Sequence, residues 1–334
     1  MITSEWPTAT NSYSGSFVAR QVDALRELGI EVDVFHFRGA KRLMNYLAAW
    51  RGVRARLAGA KYDLIHAQWG QSALLALPKR VPLVITYRGA DLEGFVGRHA
   101  RHHILSPVLR IISKLVAKFA DEIIVVSEHF RDKLHTERCH VIPTGVNLGL
   151  FKPMPQAEAR VQLGLPKERK LVLFAGSEAN AIKRYGLAAS AVSHLPAYLD
   201  AQLVAVSSVP HQMMPVYMNA CDVLLVTSLH EGSPNVVKEA LACQLPVVAV
   251  DVGDVRSRIE KFEECSVCDI DDPETIAGAL ESTLITGKRP ASRTSVIDLE
   301  EAVIAKRVRD VYSKAVSRSP ELESTVTRSC DGEC

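Results

Sequence analysis

The chain has 334 residues, 47% of them hydrophobic and 23% charged, and its formal net charge is only +2. This composition is ample for a packed core, and the length predicts two domains. No run approaches the ~18 apolar residues of a spanning helix, and no signal-peptide pattern opens the chain, so we expect a cytoplasmic protein that is soluble or peripheral to a membrane.

Charge and cysteine usage narrow the class of protein further. Residues 1–150 carry 20 Lys and Arg against 13 Asp and Glu, whereas the remainder carries 20 against 25. A basic first half suits an anionic membrane face or a phosphate-bearing acceptor, and it equally suits two halves that attract one another.

The seven cysteines are odd in number and lie mostly in apolar segments, which is typical of a reducing compartment. A metal site would need a second pair of ligands, which Cys265 and Cys268 lack, so we interpret these two cysteines as residues packed in a strand.

The first half alternates short apolar strands with helices. Residues 1–3 resemble the end of a strand, which is short by about half, so either this strand is clipped or the natural start lies upstream. A helix is predicted from Gly15 to Leu28, and Gly15 at its start is a candidate phosphate contact. Further strands are predicted at 32–37, 64–68, 81–87 and 123–127.

Two segments of the first half, residues 38–61 and 98–119, are basic and amphipathic. Each combines Lys and Arg with a helical apolar pattern, and the first also contains Trp50. Such helices suit contact with a membrane surface. The alternative, which we favour, is an outer helix packed on the sheet of an α/β domain.

The second half repeats the alternation of strand and helix. Strands are predicted at 171–175, 202–206, 223–226 and 247–250, and helices near 157–163, 211–220, 273–285 and 299–316. We therefore predict two doubly wound, Rossmann-like α/β domains facing a cleft, with boundaries at 1–150 and 151–298. Residues 299–318 are predicted to form a helix that crosses back to the first domain, and residues 319–334 a disordered tail.

The stretch from Ser228 to Ala240 carries the chemistry. It lies between two apolar strands and begins a helix, with Ser233 predicted as the N-cap and Pro234 as the first helical residue. Gly232 permits close approach of the backbone to a ligand, and the N–H groups of Asn235 and Val236 favour an anion. Glu231 and Glu239 are eight residues apart, roughly 12 Å at helical rise, so they could hold the two ends of an extended phosphate-containing ligand.

This stretch resembles the Glu-x7-Glu signature of retaining GT-B glycosyltransferases of family 4. Val141 to Pro153 is similar to the family's element that closes the first domain, and Gly15 to its glycine loop. The resemblance implies that Glu231 lies near the donor sugar, that Glu239 holds the nucleotide ribose, and that Lys183 binds the diphosphate. Arg184 would supply a second cation, since Ser177 stands where the family usually has Arg.

Two positions of the first half are interpreted through the same resemblance. Arg88 stands where many members have a His near the donor sugar, so it could contact sugar hydroxyls or a phosphate but cannot act as a base. Asp91 would anchor that loop or touch the sugar. His66 lies on the strand predicted at 64–68, in a pattern that the family uses on the acceptor side, although a lone His there is more often structural.

The function implied is transfer of a sugar from a nucleotide diphosphate donor to a hydroxyl acceptor with retention at the anomeric carbon, in cell-surface polysaccharide or glycolipid synthesis. No Asp-x-Asp metal motif ends a strand, so we expect no metal cofactor. Expected partners are the donor, a glycan or lipid-linked acceptor and an anionic membrane face, but no nucleic acid. Alternatives are a donor-binding protein without turnover and a related GT-B epimerase or phosphorylase.

Overall fold

The computed structural model describes residues 1–8, 14–38, 43–94, 106–134, 136–291 and 293–318. The chain forms two compact units, which divide between Pro143 and Thr144 and again between Glu301 and Ala302. The sequence placed these divisions after residues 150 and 298. The predicted tail at 319–334 lies outside the described residues.

The first unit is built on a sheet of six strands among the described residues. The strands are β1 (Ile2–Thr3), β2 (Phe35–His36), β3 (Ile65–Gln68), β4 (Leu83–Tyr87), β5 (Glu122–Val125) and β6 (Cys139–Val141). All pairings are parallel, and the strand order is β2-β1-β3-β4-β5-β6. The apolar side chains of β3 to β5 are buried, as expected for parallel strands covered on both faces.

Helices connect these strands. They are α1 (Ser16–Glu27), α2 (Leu43–Gly59), α3 (Gly70–Ala73), α4 (Ala90–Glu93), α5 (Ser106–Ala117) and α6 (Glu128–Leu134), with a 3-10 turn at Leu74–Ala76. The two predicted basic helices are confirmed as α2 and α5, although residues 39–42 and 95–105 lie outside the described part of the chain.

The second unit contains a sheet of five parallel strands. These are β7 (Lys170–Ala175), β8 (Ala201–Val206), β9 (Val223–Val226), β10 (Val247–Val250) and β11 (Ser266–Cys268), in the order β11-β10-β9-β7-β8. The predicted limits of β9 and β10 are confirmed to the residue. Both runs are almost wholly apolar because the centre of a parallel sheet is covered on both faces.

The helices of the second unit are α7 (Gln156–Leu163), α8 (Tyr185–Ser193), α9 (Met214–Ala220), α10 (Asn235–Ala242), α11 (Val255–Ile259), α12 (Pro273–Thr286) and α13 (Thr294–Ile297). Asp272 caps α12 by accepting hydrogen bonds from the N–H groups of Glu274 and Thr275, and Asp is among the residues that helix starts favour. In the chain, α10 connects β9 to β10, which are neighbouring strands of this sheet.

The last helix, α14 (Glu301–Ser317), packs within the first unit from Ala302 onwards. The Tyr312 hydroxyl lies 2.6 Å from Nδ1 of His66, and Arg307 donates to the Val141 carbonyl at 2.7 Å. Apolar residues of α14, including Ile304 and Val308, are buried. The end of the chain thereby completes the core of the unit in which the chain begins.

Candidate active site

The loop between β9 and α10 carries Glu231, and the helix itself carries Glu239. The helix begins at Asn235, and Pro234 is its N-cap residue, so the predicted N-cap role of Ser233 is wrong. Ser233 Oγ instead donates to Asp254 at 2.8 Å. Since residues 231–234 precede the helix, the helical rise assumed for the whole Glu-x7-Glu segment applies only from Asn235 onwards.

Lys183 and Glu231 meet although they lie far apart in sequence. Lys183 Nζ is 2.6 Å from Glu231 Oε1, and both side chains are about one quarter exposed or less. The loop after β9 is joined to the loop after β7, because Leu229 N donates to Ile182 O and Thr227 Oγ1 donates to Lys183 O. These bonds set a cation and a carboxylate side by side where solvent still reaches both.

Arg184 behaves differently from its neighbour. Its φ of 53° turns the backbone into the left-handed region, and its Nε donates to the Thr227 carbonyl at 2.6 Å. The guanidinium also forms an ion pair with Asp271. Arg184 therefore ties the end of β9 to the segment before α12, and Lys183 is the more available of the two cations.

A second turn packs against the backbone of the acidic loop. Gly253 has a φ of +60°, and a Cβ there would lie 2.8 Å from the carbonyl oxygens of both Glu231 and Gly232. The next residue, Asp254, accepts from Ser233 and from Arg258 Nε at 2.9 Å. The loop is thus held from beneath by a glycine that no larger residue could replace without displacing it.

Glu239 lies in the second turn of α10 and has a partner that the sequence did not indicate. His211 Nε2 is 3.0 Å from Glu239 Oε1, and the Glu239 side chain is only 9% exposed. The His211 ring packs edge-on against Phe151, with 5.1 Å between ring centroids. No spacing rule connects these three residues, because they come from separate loops and helices of the unit.

The start of α10 also offers backbone donors. The N–H groups of Asn235 and Val236 belong to the first turn, where α-helical geometry provides no acceptor within the helix. Lys238, on the same helix, is 1% exposed and donates to the Thr144 carbonyl at 3.1 Å. Lys238 therefore anchors the helix, while the N–H groups at its start provide the anion-favouring end.

In the first unit, Gly15 is the N-cap residue of α1 and has a φ of +66°. A Cβ at this position would lie 2.7 Å from Trp6 N, so the turn packs directly on the backbone that follows β1. A side chain is therefore excluded for two reasons, the backbone conformation and the contact.

Arg88 lies in a partly buried polar cluster of the first unit. Its Nε donates to Gln68 at 2.9 Å and its Nη2 to Gln21 at 3.0 Å, while the guanidinium lies 4.7 Å from the centre of the Phe17 ring. Burial lowers the pKa of Arg88 to about 10, so the group stays protonated near neutral pH. These contacts join the end of β3 and the loop after β4 to α1, the helix that Gly15 begins.

Asp91 is fully buried and accepts hydrogen bonds from three backbone N–H groups. The donors are Gly89 at 3.0 Å and both Gly70 and Arg88 at 3.3 Å. Burial raises the pKa of Asp91 despite these bonds. Of the two roles predicted for Asp91, this geometry corresponds to the loop anchor.

His66 is 2% exposed, and both of its ring nitrogens have partners, Tyr312 and Thr86. Burial holds the pKa of His66 well below its usual value, so the ring is neutral. The contacts favour the structural role over the acceptor-side role.

The cysteines and carboxylates offer no metal centre in the described ranges. No group of three or more His, Cys, Asp or Glu that could hold a metal ion occurs there. Cys268 is buried on β11, and Cys265 Sγ accepts from Val247 N at 3.3 Å. Burial raises the pKa of the Cys265 thiol to about 11, which is consistent with packing. Within the same ranges, no helix is long and apolar enough to cross a membrane.

Comparison with known proteins identifies the family. Residues 14–150 match the family described as Glycosyltransferase Family 4, and residues 170–285 match Glycosyl transferases group 1. A Bacillus subtilis glycosyltransferase, TuaC, provisionally named for teichuronic acid biosynthesis, is 25% identical over 78% of this chain and 83% of its own length.

Solved structures show the same fold. The sucrose-phosphate synthase of Thermosynechococcus elongatus superposes with a TM-score of 0.72 at 19% identity, covering 94% of this chain and 93% of that one. Anabaena HepE, solved in complex with UDP and glucose, gives a TM-score of 0.58 at 20% identity over 90% of this chain and 88% of that one.

Two parallel-sheet α/β units and the likeness to these solved structures define a two-domain GT-B fold, so the predicted fold class is confirmed. The two family matches together span more than half of the sequence. The chain belongs to glycosyltransferase family 4, of the glycosyl transferases group 1, and is a transferase enzyme.

Proposed function

We propose that this chain transfers a sugar from a nucleoside-diphosphate sugar to a hydroxyl group of a glycan or lipid-linked acceptor, with retention at the anomeric carbon, in cell-surface polysaccharide or glycolipid synthesis. The observation that carries the proposal is the 2.6 Å pair of Lys183 and Glu231 at the start of the helix that bears Glu239. Such a donor needs a cation for its diphosphate and carboxylates for the hydroxyl groups of its sugar and its ribose, and Lys183, Glu231 and Glu239 would provide these groups.

Loss of the nucleoside diphosphate requires a group that stabilises negative charge as the glycosidic bond breaks. Lys183 Nζ has three N–H donors, and Glu231 occupies one of them. The other two N–H groups of Lys183 would bind diphosphate oxygens. The backbone N–H groups of Asn235 and Val236 would also stabilise the negative charge. Arg184 contributes mainly by holding the loop, given its bonds to Thr227 and Asp271.

The two glutamates act at opposite ends of the donor. Glu231 orients sugar hydroxyls and favours the positive charge that develops on the sugar in the transition state. Glu239 accepts hydrogen bonds from the ribose hydroxyls, and its pairing with His211 holds the carboxylate in one orientation. Since cations of the protein neutralise the leaving group, the reaction proceeds without a metal cofactor.

The first unit contributes through its loops. Gly15 would let the backbone at the start of α1 bind donor phosphates, a role that its resemblance to the family's glycine loop supports. Arg88 and Asp91 hold the loop after β4 in place, and Arg88 provides a positive charge that attracts an anionic donor. The excess of Lys and Arg in residues 1–150 suits a phosphate-bearing acceptor.

The experiment incubates the full chain with UDP-glucose, ADP-glucose or GDP-mannose and a panel of glycan and lipid-linked acceptors. Release of the nucleoside diphosphate measures turnover, and NMR of the first product determines the anomeric configuration. We expect acceptor-dependent turnover that persists in EDTA and a product that keeps the donor's configuration. An inverted product would overturn retention, and turnover abolished by EDTA and restored by Mg²⁺ would overturn the metal-free mechanism.

A further inference from the structure

The outer surface of α5 is apolar as well as its inner surface. Val116 is buried and Ile112 packs against the core of the first unit. Val108, Ile111 and Leu115, with Phe119 just beyond the helix, are nevertheless 49–58% exposed. Their spacings of three, four and four residues place them along one side of the helix, so α5 has an inward stripe and a separate outward stripe.

A second set of exposed apolar residues lies on α2. Met44, Leu47 and Trp50 are spaced three apart, and Met44 is 71% exposed. Together with Leu74 of the 3-10 turn, the three residues of α5 and Phe119, they account for all but one of the large exposed hydrophobic residues described in the first unit. The other is Val303.

The topology places these residues on one face of the first sheet. The crossover from β2 to β3 and the crossover from β4 to β5 run in the same direction along the strand order. Right-handed crossovers therefore put α2 and α5 on the same side of the sheet. Trp50 Nε1 donates to Leu77 O and Arg54 Nη2 to Ala76 O, which ties α2 to the turn between them. We call this surface the α2–α5 face.

The α2–α5 face is positively charged. Arg51 on α2 is exposed, as are Arg110, Lys114 and Lys118 on or next to α5. The three cations near α5 form no ion pair with the described residues. Neither residues 38–62 nor residues 98–120 contain any Asp or Glu. Within these two segments, the exposed apolar side chains are thus accompanied by cations and not by carboxylates.

We propose that the α2–α5 face docks onto the surface of an anionic lipid bilayer. Exposed apolar side chains would enter the boundary between headgroups and acyl chains, while the cations contact lipid phosphates. A second copy of the chain is disfavoured as the occupant, because a symmetric contact would bring the same cations together. The α2–α5 face contains none of the residues assigned to the transfer reaction, so vesicle binding and donor turnover can each be present without the other.

The test is flotation of the full chain with vesicles of phosphatidylcholine alone or of phosphatidylcholine and phosphatidylglycerol in equal parts. We expect binding to the anionic vesicles that weakens as salt is added. Since each cation near an anionic surface strengthens binding about five-fold, Lys114→Glu with Lys118→Glu should weaken it by at least roughly 30-fold. Ile111→Ser with Leu115→Ser should weaken it at least about ten-fold at constant charge.

The matched control is Val161→Ser with Ile285→Ser, which removes two exposed apolar side chains from the second unit and should leave binding unchanged. Thermal unfolding checks that each variant is folded, which is expected because all substituted side chains are exposed. Equal binding to both kinds of vesicle, or equal loss in the control, would overturn the proposal. A dimer in sedimentation velocity that Ile111→Ser with Leu115→Ser dissociates would instead assign the face to a second copy.

Discussion

Replacing Glu239 by alanine removes the carboxylate that we assign to the ribose. The side chain is 9% exposed, and one oxygen is 3.0 Å from His211. Hydrogen bonds to a charged group contribute about 1.5–3 kcal/mol each, so the loss of two ribose contacts costs at least about 3 kcal/mol. At 1.4 kcal/mol for each tenfold change, donor KM should rise roughly 100-fold.

Initial rates over a range of UDP-glucose concentrations measure KM, and calorimetry with UDP measures the binding constant directly. 2′-Deoxy-UDP separates the ribose assignment from a general loss of structure. The wild type should bind it more weakly than UDP, whereas Glu239→Ala should no longer distinguish the two. Glu158→Ala, an exposed glutamate of the same unit, is the control and should change neither constant.

His211→Ala tests how the carboxylate is held. We expect a smaller increase in donor KM, about three- to ten-fold, and no further increase when it is combined with Glu239→Ala, because the two residues act through one contact. A folded Glu239→Ala protein that binds UDP within twofold of the wild type would refute the ribose assignment.

Three further predictions concern the remaining site residues. Lys183→Ala should lower kcat/KM by about 10²–10³-fold, as for loss of one group that stabilises transition-state charge, and unaltered steady-state kinetics would contradict its role. Gly15→Ala should lower the free energy of unfolding by about 1–3 kcal/mol more than Gly29→Ala does. Gly29 is the control because its φ is similar but a Cβ there would have no atom within 4 Å. Equal urea midpoints for the two variants would show that the contact at Gly15 is not tight. Arg88→Met should lower the free energy of unfolding by about 1–3 kcal/mol, because Oε1 of the buried Gln68 loses the bond from Arg88, whereas Gln21 Oε1 keeps its bond from Gln68 Nε2. The exposed Arg51→Met should change nothing, and a neutral Arg88→Met would contradict the structural role of Arg88.

Local patterns were sufficient for most of the secondary structure. The runs at 223–226 and 247–250 became β9 and β10 without a change of limits, because β-branched apolar residues between turn signals have one favourable conformation. The strand predicted at 32–37 shortened to two residues at the edge of its sheet, where only one neighbour provides hydrogen bonds. The N-cap of α10 was not predictable from the local pattern, because Ser233 donates to a tertiary partner, Asp254.

The sequence also could not separate the two sides of α5. The apolar residues of α5 fit the pattern of a helix packed on a sheet and also that of an interfacial helix. In the structure both patterns are present on the same helix. Ile112 and Val116 face the core, while Ile111 and Leu115 face outward. Periodicity gives the number of apolar positions, but only the position of the sheet determines which of them are covered.

What the sequence determined by itself is the alternation of strands and helices, the two-unit α/β fold and the family, because each depends on residues that are close together in the chain. Only the tertiary structure decided that Lys183 pairs with Glu231, that His211 holds Glu239, and that Arg184 donates a hydrogen bond to the carbonyl of Thr227. These partners lie 28 to 48 residues apart in sequence. Parallel strands bring such loops to one edge of the sheet, so their contacts follow from strand order and packing and not from any local pattern.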